Sequence, residues 1–254
     1  MKKGISLVIF LNVFFGAPPR SIPQEFYAQF TMNGQIPVKY WYHDGTYSSD
    51  RPLLYTYEEI ETMKKRVLAH EVNHYGTTDP LLYQALDQFV SHIQGKKVAI
   101  MGSTVPWYEA VVLAYGGKPV TIEYNKIVST HPDTRTMTVA EYEANPELFD
   151  AILSISSYEH DGLGRYGDPI NPVGDLIAME KPKKMLVPGG LLFLAVPVAK
   201  DLLYWNAHRN YGSVRLPMLL SGWKTLASFG FQESDFKRDQ EEQPVFVLAV
   251  DETN

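Results

Sequence analysis

The chain contains no cysteine. That absence removes disulfide bridges, thiolate metal sites and cysteine nucleophiles together. There is no long run of lysine or arginine either, and the formal net charge is −6. Binding along a nucleic-acid backbone needs a basic footprint, so DNA and RNA are not expected as partners. No Asn-x-Ser/Thr sequon with x other than proline occurs. No apolar run reaches the roughly 20 residues of a spanning helix, so no transmembrane helix is expected. The run ISLVIFLNVFFGA, from Ile5 to Ala17, follows Lys2 and Lys3. That is the shape of a signal peptide. However, Phe15 stands where a small residue belongs before a cleavage site, and Pro18 follows at once. Residues 1–17 are therefore read either as a signal peptide or as an apolar segment buried in the fold.

What is present describes a folded protein. The 254 residues are 45% hydrophobic and 20% charged, ordinary values for a globular chain. That length suits one large α/β domain, or a domain with an extension. Residues 18–56 are rich in proline and tyrosine and keep no period, which predicts irregular structure with short strands. A helix is expected from about Glu58 to His74, capped by Thr56 and stopped at Gly76. A second is expected to open at Asp79-Pro80 and to end at Gly95.

From Gly95 the rhythm becomes strand, helix, strand. KKVAIMG, KPVTIEYN, RTMTV, FDAILSISS, LLFLAVPV and PVFVLAV read as strands. PWYEAVVLAYGG, GDLIAMEKPKKMLVPGG and LPMLLSGWKTLASFGF read as helices, the second ending in a Pro-Gly-Gly turn. Alternation of this kind predicts an α/β fold. The expected architecture is a Rossmann-like, doubly wound, mostly parallel sheet with an antiparallel last strand, over residues 95–254. An irregular and helical N-terminal extension would cover 18–94.

In such a sheet, ligands bind beyond the C-terminal strand ends. The first strand ends at Gly102, where a missing side chain lets a ligand approach the backbone. The dinucleotide fingerprint G-x-G-x-x-G is absent, because Thr104 and Trp107 occupy the second and third glycine positions. This disfavours NAD and FAD. Glu123 ends the second strand, about 20 residues further on, where a carboxylate can accept both ribose hydroxyls. The fourth strand runs into SISSYEHDGLGRYGDP, whose Ser156, Ser157, Glu159, His160 and Asp161 face the ligand side. Gly162, Gly164 and Gly167, with Arg165 between them, complete a polar, glycine-rich loop.

Two sets of residues carry a resemblance. FDAILSISSYEH and LVPGGLLFLAVPV resemble the fourth and fifth strands of class I methyltransferases. GSTVPWYEAVVLAYGG, TIEYN, SSYEHDGLGRYGDPINPVGD, NAHRNYG and FTMNGQIPVKYWYHDGTYSSDRP are more specific. Together they resemble the methyltransferase-like family known as domain of unknown function 268. The resemblance implies a methyltransferase fold and S-adenosylmethionine as cofactor. It implies Gly102 and Ser103 in the first cofactor loop and Glu123 on the ribose. It places Ser156 near the methionine end, and Glu159 and His160 near the acceptor. Glu141 is the nearest candidate for the acid expected beside adenine. His208 and Arg209 are candidates for an acceptor-binding role, as is Arg165.

The function so implied is methyl transfer to a small polar molecule or glycan. A hydroxyl acceptor needs a base, and His160 is the natural choice because imidazole titrates near neutrality. Glu159 could orient it or act itself. Two alternatives stand beside this. The fold could serve as a non-catalytic binding or scaffold module, since the first loop lacks its Gly-x-Gly. His70-Glu71-Val72-Asn73-His74 also spells H-E-x-x-H, which on a helix would place two histidines on one face for zinc with Glu71 as base. No further ligand stands out, so no metal is expected. Localisation stays open between the cytoplasm, which the cofactor favours, and the secretory route.

Overall fold

The computed structural model describes residues 17–43, 52–73 and 75–251. The apolar run beginning at Ile5 lies outside the described residues as far as position 16, and so does His74.

The extension begins with α1 (Gln24–Phe30) and two short strands, β1 (Val38–Tyr40) and β2 (Leu53–Tyr55). Then comes α2 (Tyr57–Leu68), where the Thr56 hydroxyl accepts from the Glu59 N–H at 3.2 Å, the N-cap expected. The helix does not run on to His74. It ends at Leu68, and His70 takes a left-handed φ of +52°. Residues 70–73 of the H-E-x-x-H string are therefore not helical, whereas the zinc reading needs them on a helix. Glu71 instead accepts from Arg66 Nε at 2.8 Å, and the His70 ring stacks on Tyr83. Helix α3 (Thr78–Gln88) starts one residue before Asp79. The Asp79 carboxylate accepts the Asn73 N–H at 2.9 Å rather than capping its own helix.

The remaining elements follow in alternation. They are β3 (Lys97–Met101), α4 (Trp107–Ala114), β4 (Lys118–Glu123), β5 (Ile127–Ser129), β6 (Arg135–Thr138), α5 (Val139–Ala144) and β7 (Phe149–Ile155). After them come α6 (Gly174–Met185), β8 (Leu186–Ala195), β9 (Leu202–Trp205), β10 (His208–Asn210), α7 (Arg215–Leu219), β11 (Trp223–Phe229) and β12 (Val245–Val250). Two elements differ from expectation. LPMLLSGWKTLASFGF is not one helix: α7 is a single turn, Gly222 turns the chain at φ +72°, and β11 follows as an edge strand. The Pro188-Gly189-Gly190 stretch is not a turn before a strand. It bulges inside β8, where pairing jumps from Phe149–Leu186 to Ala151–Leu191.

The main sheet has seven strands in the order β11-β12-β8-β7-β3-β4-β6. Pairings among β8, β7, β3, β4 and β6 are parallel, while β12 is antiparallel to both of its neighbours. The strands read as continuous apolar runs because both faces are covered. Val98, Ile100, Leu153 and Phe193 pack under α3 and α4. Ala99, Ile152, Leu192 and Leu194 pack against α6 and α7. Two small sheets attach the extension. In one, β1 lies parallel to β9 of the β9–β10 hairpin. In the other, β2 lies parallel to β5. Among the described residues no helix is long and apolar enough to cross a membrane.

Candidate active site

Strand order reverses at β3. The chain goes from β3 outward to β4 and β6, then returns to β7 on the other side. The crossovers diverge there, so the strand ends cannot be closed over, and a crevice opens. A cavity of 610 Å³ fills that place, lined by the loops after β3, β4 and β7.

Gly102 closes β3 at φ +74°, a conformation that favours glycine. A Cβ there would collide with the Ser157 side chain, so the loops after β3 and β7 can meet only over a glycine. The next residue is held from two sides. The Ser103 N–H donates to Glu123 at 3.1 Å. The Ser103 hydroxyl turns inward, 3.0 Å from the Tyr55 hydroxyl and 3.3 Å from Glu109 Oε2. Glu109, on α4, also accepts from Thr121 at 2.6 Å. It is fully buried, and desolvation pushes its pKa up to about 7. Glu123 lines the cavity and accepts from the N–H groups of Ser103, Tyr124 and Asn125. Burial raises its pKa, and those three N–H donors oppose the rise. Each carboxylate oxygen has more than one lone pair, so acceptor capacity remains for a ligand hydroxyl.

After β7, Ser156 takes φ +52° and its hydroxyl donates to Glu159 Oε1 at 2.6 Å. Gln243, just before β12, donates to the same hydroxyl at 3.2 Å. Glu159 is buried, and its Oε2 has no hydrogen-bond partner among the described residues. Desolvation pushes its pKa up to about 7, against the pull of Ser156 and two arginines. His160 Nδ1 lies 2.6 Å from the Ala207 carbonyl, which fixes that nitrogen as the donor. Nε2 is then the lone-pair nitrogen, 3.6 Å from Glu159 Oε1. Desolvation lowers the imidazole to about 3, with Arg165 adding to the effect. The imidazole is thus neutral and a much weaker base than its sequence suggests. Next, Asp168 gathers the N–H groups of Gly162, Gly164 and Tyr166 and fixes the glycine-rich loop.

The expected residues separate into groups. Gly102, Ser103, Glu123, Ser156, Glu159, His160, Arg165 and His208 all line the one cavity. Glu141 does not. Its carboxylate accepts from the Thr138 N–H at 2.7 Å in a capping box that starts α5. Helix capping explains that acid, and it corrects the expected place beside adenine. Val139 and Tyr142 of the same helix line the cavity instead. Arg209 is the second correction. It is buried, donates to the carbonyls of Glu159 and Asp161, and lies 3.7 Å from Asp175. It braces the loop from behind and does not reach the cavity. Residues that sequence reasoning missed are Tyr55, Glu109, Gln243, Glu241 and Trp41. A lone glutamate inside the apolar helix WYEAVVLA was the one visible signal among them.

This sheet order, with its antiparallel strand inserted next to the edge, and a crevice at the switch point define the class I methyltransferase fold. The chain belongs to the family described as Caenorhabditis protein of unknown function, DUF268, whose model matches residues 95–244. The fold recurs in the Burkholderia thailandensis 1,6-didemethyltoxoflavin-N1-methyltransferase, solved with 1,6-didemethyltoxoflavin and S-adenosylhomocysteine bound. The two share 15% identity at a TM-score of 0.50, over 80% of this chain and 93% of that one. TehB from Haemophilus influenzae matches at 12% identity and TM-score 0.48, over 74% and 67%. The N-methyltransferase NodS from Bradyrhizobium japonicum WM9 matches at 14% and 0.43, over 68% and 98%. No curated protein matches the chain.

Proposed function

We propose that the protein is an S-adenosylmethionine-dependent methyltransferase whose acceptor is a small polar molecule or glycan. The observation that carries this is the hydrogen bond from the Ser103 N–H, in the turn begun by Gly102, to Glu123 at the switch point of the sheet, inside a cavity large enough for a nucleoside and an acceptor. In this reading the extension, residues 18–94, is a wall of the site, and residues 95–254 form the catalytic domain.

The residues fit that cofactor better than a dinucleotide. A pyrophosphate needs free backbone N–H groups at the first loop. Here the Ser103 N–H is already bonded to Glu123, and the same carboxylate would repel a phosphate. Six carboxyl groups line the cavity beside Arg165, Lys181 and Lys184. Glu123 would hold the ribose hydroxyls. Val139 and Tyr142 would give adenine an apolar face. Ser156, with Gln243 behind it, would meet the amino-acid end. When bound, S-adenosylmethionine supplies a methyl group already activated on a sulfonium.

The protein then has two tasks, alignment and proton removal. Glu159, at about 7, is matched to neutral pH as a general base, better than His160 at about 3. The Glu159 carboxyl, whose Oε2 is buried without a hydrogen-bond partner among the described residues, would take the proton of the acceptor hydroxyl. His160, held by Ala207, keeps a neutral ring beside the carboxyl and so preserves its orientation. Arg165 and His208 bind the acceptor on the open side.

The test is calorimetric titration of the purified protein with S-adenosylmethionine and S-adenosylhomocysteine, alongside Glu123→Ala and Glu123→Gln. Micromolar binding, weakened at least tenfold or about 1.4 kcal/mol by the alanine variant, is expected. Folded protein that binds neither compound would overturn the reading and leave the scaffold alternative.

A further inference from the structure

We infer that Trp41, standing on the β1–β9–β10 sheet at the mouth of the cavity, is the platform on which a neutral sugar ring of the acceptor stacks. As an acceptor site this rests on the methyltransferase reading, though sugar binding itself does not.

Four tryptophans occur in the chain. Trp107 and Trp205 are fully buried, and Trp223 is 7% exposed. Trp41 is 55% exposed and still lines the cavity. An exposed aromatic face beside a crevice offers an apolar surface that a ligand can cover. The ring is also positioned. Parallel pairing of β1 with β9 sets the strand just before it. The rings of His208 and Tyr204 meet it nearly at right angles, at 5.8 Å and 6.2 Å between centroids. Those two rings lie 4.7 Å from each other. Those two edge contacts fix the ring without stacking over it, and the His43 ring lies tilted at 39° against it, 5.6 Å between centroids, on one side.

The surroundings select the occupant. Glu241 lies 3.8 Å from His208 Nε2, and Gln243, Arg165 and His208 share the lining. Donors and acceptors therefore line the same cavity as an aromatic face. A pyranose offers the complement, an apolar C–H face and a rim of hydroxyls that both donate and accept. A cationic acceptor is disfavoured by Arg165 in the lining and by Lys39, whose Nζ lies 5.8 Å over the Tyr204 ring. An anionic one is disfavoured by Glu241. A nucleic acid is disfavoured by the net charge of −6.

The platform also points at the chemistry. From Trp41 the rings step to His208 and then, 6.3 Å further, to His160 beside Glu159. A sugar stacked on Trp41 would extend a hydroxyl past His208 toward the Glu159 carboxyl. The extension therefore selects the acceptor, and the sheet holds the cofactor.

The experiment uses the full chain with saturating S-adenosylhomocysteine. Neutral oligosaccharides of glucose, mannose, galactose, xylose and N-acetylglucosamine are titrated in, with saturation-transfer NMR and tryptophan emission as readouts. Trp41 is the exposed tryptophan, so the expected result is a blue shift on binding. Trp41→Ala should weaken the sugar at least tenfold while leaving S-adenosylhomocysteine affinity and melting temperature unchanged. Trp41→Phe should keep most of the affinity by NMR. Protein that binds S-adenosylhomocysteine and responds to none of the sugars overturns the proposal. So does sugar binding indifferent to Trp41→Ala, or a quaternary amine that competes at Trp41 where sugars do not. Sugar binding that needs Trp41 in protein that ignores S-adenosylhomocysteine would keep the platform and sink the methyltransferase reading.

Discussion

The hydroxyls of Tyr55 and Ser103 lie 3.0 Å apart, one on β2 of the extension and the other on the loop after β3. This buried contact makes the N-terminal segment part of the crevice's architecture. Tyr55 is 2% exposed, and β2 is itself held by parallel pairing with β5. Ser103 cannot shift without disturbing Tyr55, Glu109 and Glu123 together.

Tyr55→Phe should therefore affect both stability and ligand affinity. The ring keeps its packing, and only the hydroxyl is lost. The expected cost is about 1 kcal/mol by urea unfolding, the usual worth of one such hydrogen bond. S-adenosylhomocysteine should bind several-fold more weakly by calorimetry. Unchanged affinity would mean that Glu109 and Glu123 hold the loop without help from the extension.

Glu109 gives a pH signature. Desolvation raises its pKa from 4.5 to about 7, so between those values the folded chain keeps a proton the unfolded chain has released. Stability from this group is present below about 4.5 and is lost as pH rises through about 7. Glu109→Gln does not titrate, yet its amide can still accept from Thr121 and donate to Ser103. The variant should gain on the wild type by on the order of 2 kcal/mol between pH 5 and pH 8.5. Urea midpoints at the two pH values measure the difference. A constant offset would show that Glu109 is ionised in the folded protein at both.

How far the sequence reaches depends on how local each signal is. Gly102, Glu123 and the loop from Ser156 to Asp161 follow directly from where strands end, and strand ends read from apolar runs. The main sheet is harder to read at its edge, at β11. Trp223–Phe229 is half exposed, and LPMLLSGWKTLASFGF is apolar at helical spacing too, so the period alone could not separate α7 from β11. Polar residues were hardest to read. Arg209 and His208 are neighbours in NAHRNYG, yet one braces a loop through Asp175 and the other faces the cavity. Alternation along β10 sends them to opposite sides. Glu141 reads as a ligand-binding acid in the sequence, yet its partner is Thr138, three residues earlier. Tyr55, Gln243 and Trp41 reach the site from distant segments, and no local pattern marks them.

Asp175 is the structural centre of the loop's support. Its carboxylate accepts from Arg215 Nε at 2.8 Å and from the Tyr211 hydroxyl at 3.0 Å, with Arg209 at 3.7 Å. Burial pushes its pKa up, but Arg209 and Arg215 together hold it below the usual carboxylate value. Asp175→Asn would leave two buried guanidinium groups without a counter-charge. The expected loss is about 3–5 kcal/mol, read as a lower urea midpoint. Arg209 also donates to the carbonyls of Glu159 and Asp161, so the same variant should loosen the loop after β7. A loss below about 1 kcal/mol would show that the arginines find other partners.

The assignment of the base separates two neighbouring residues. If Glu159 takes the proton, the rate must rise as pH increases through about 7, because the ionised form is the active one. Carbon-13 NMR of glutamate-labelled protein should place this carboxyl near 7, and that measurement needs no acceptor. With a saccharide acceptor, release of S-adenosylhomocysteine reports turnover. Glu159→Gln should then lower the rate by about 10²–10⁴-fold at pH 8 and abolish the inflection. His160→Gln should lower it less and keep the inflection, since an imidazole at about 3 contributes orientation rather than basicity. The opposite pattern, an inflection that survives Glu159→Gln and vanishes in His160→Gln, would assign the proton to the imidazole. It would also require His160 to escape its desolvation in the ligand-bound protein while keeping the Ala207 contact, which favours the protonated ring.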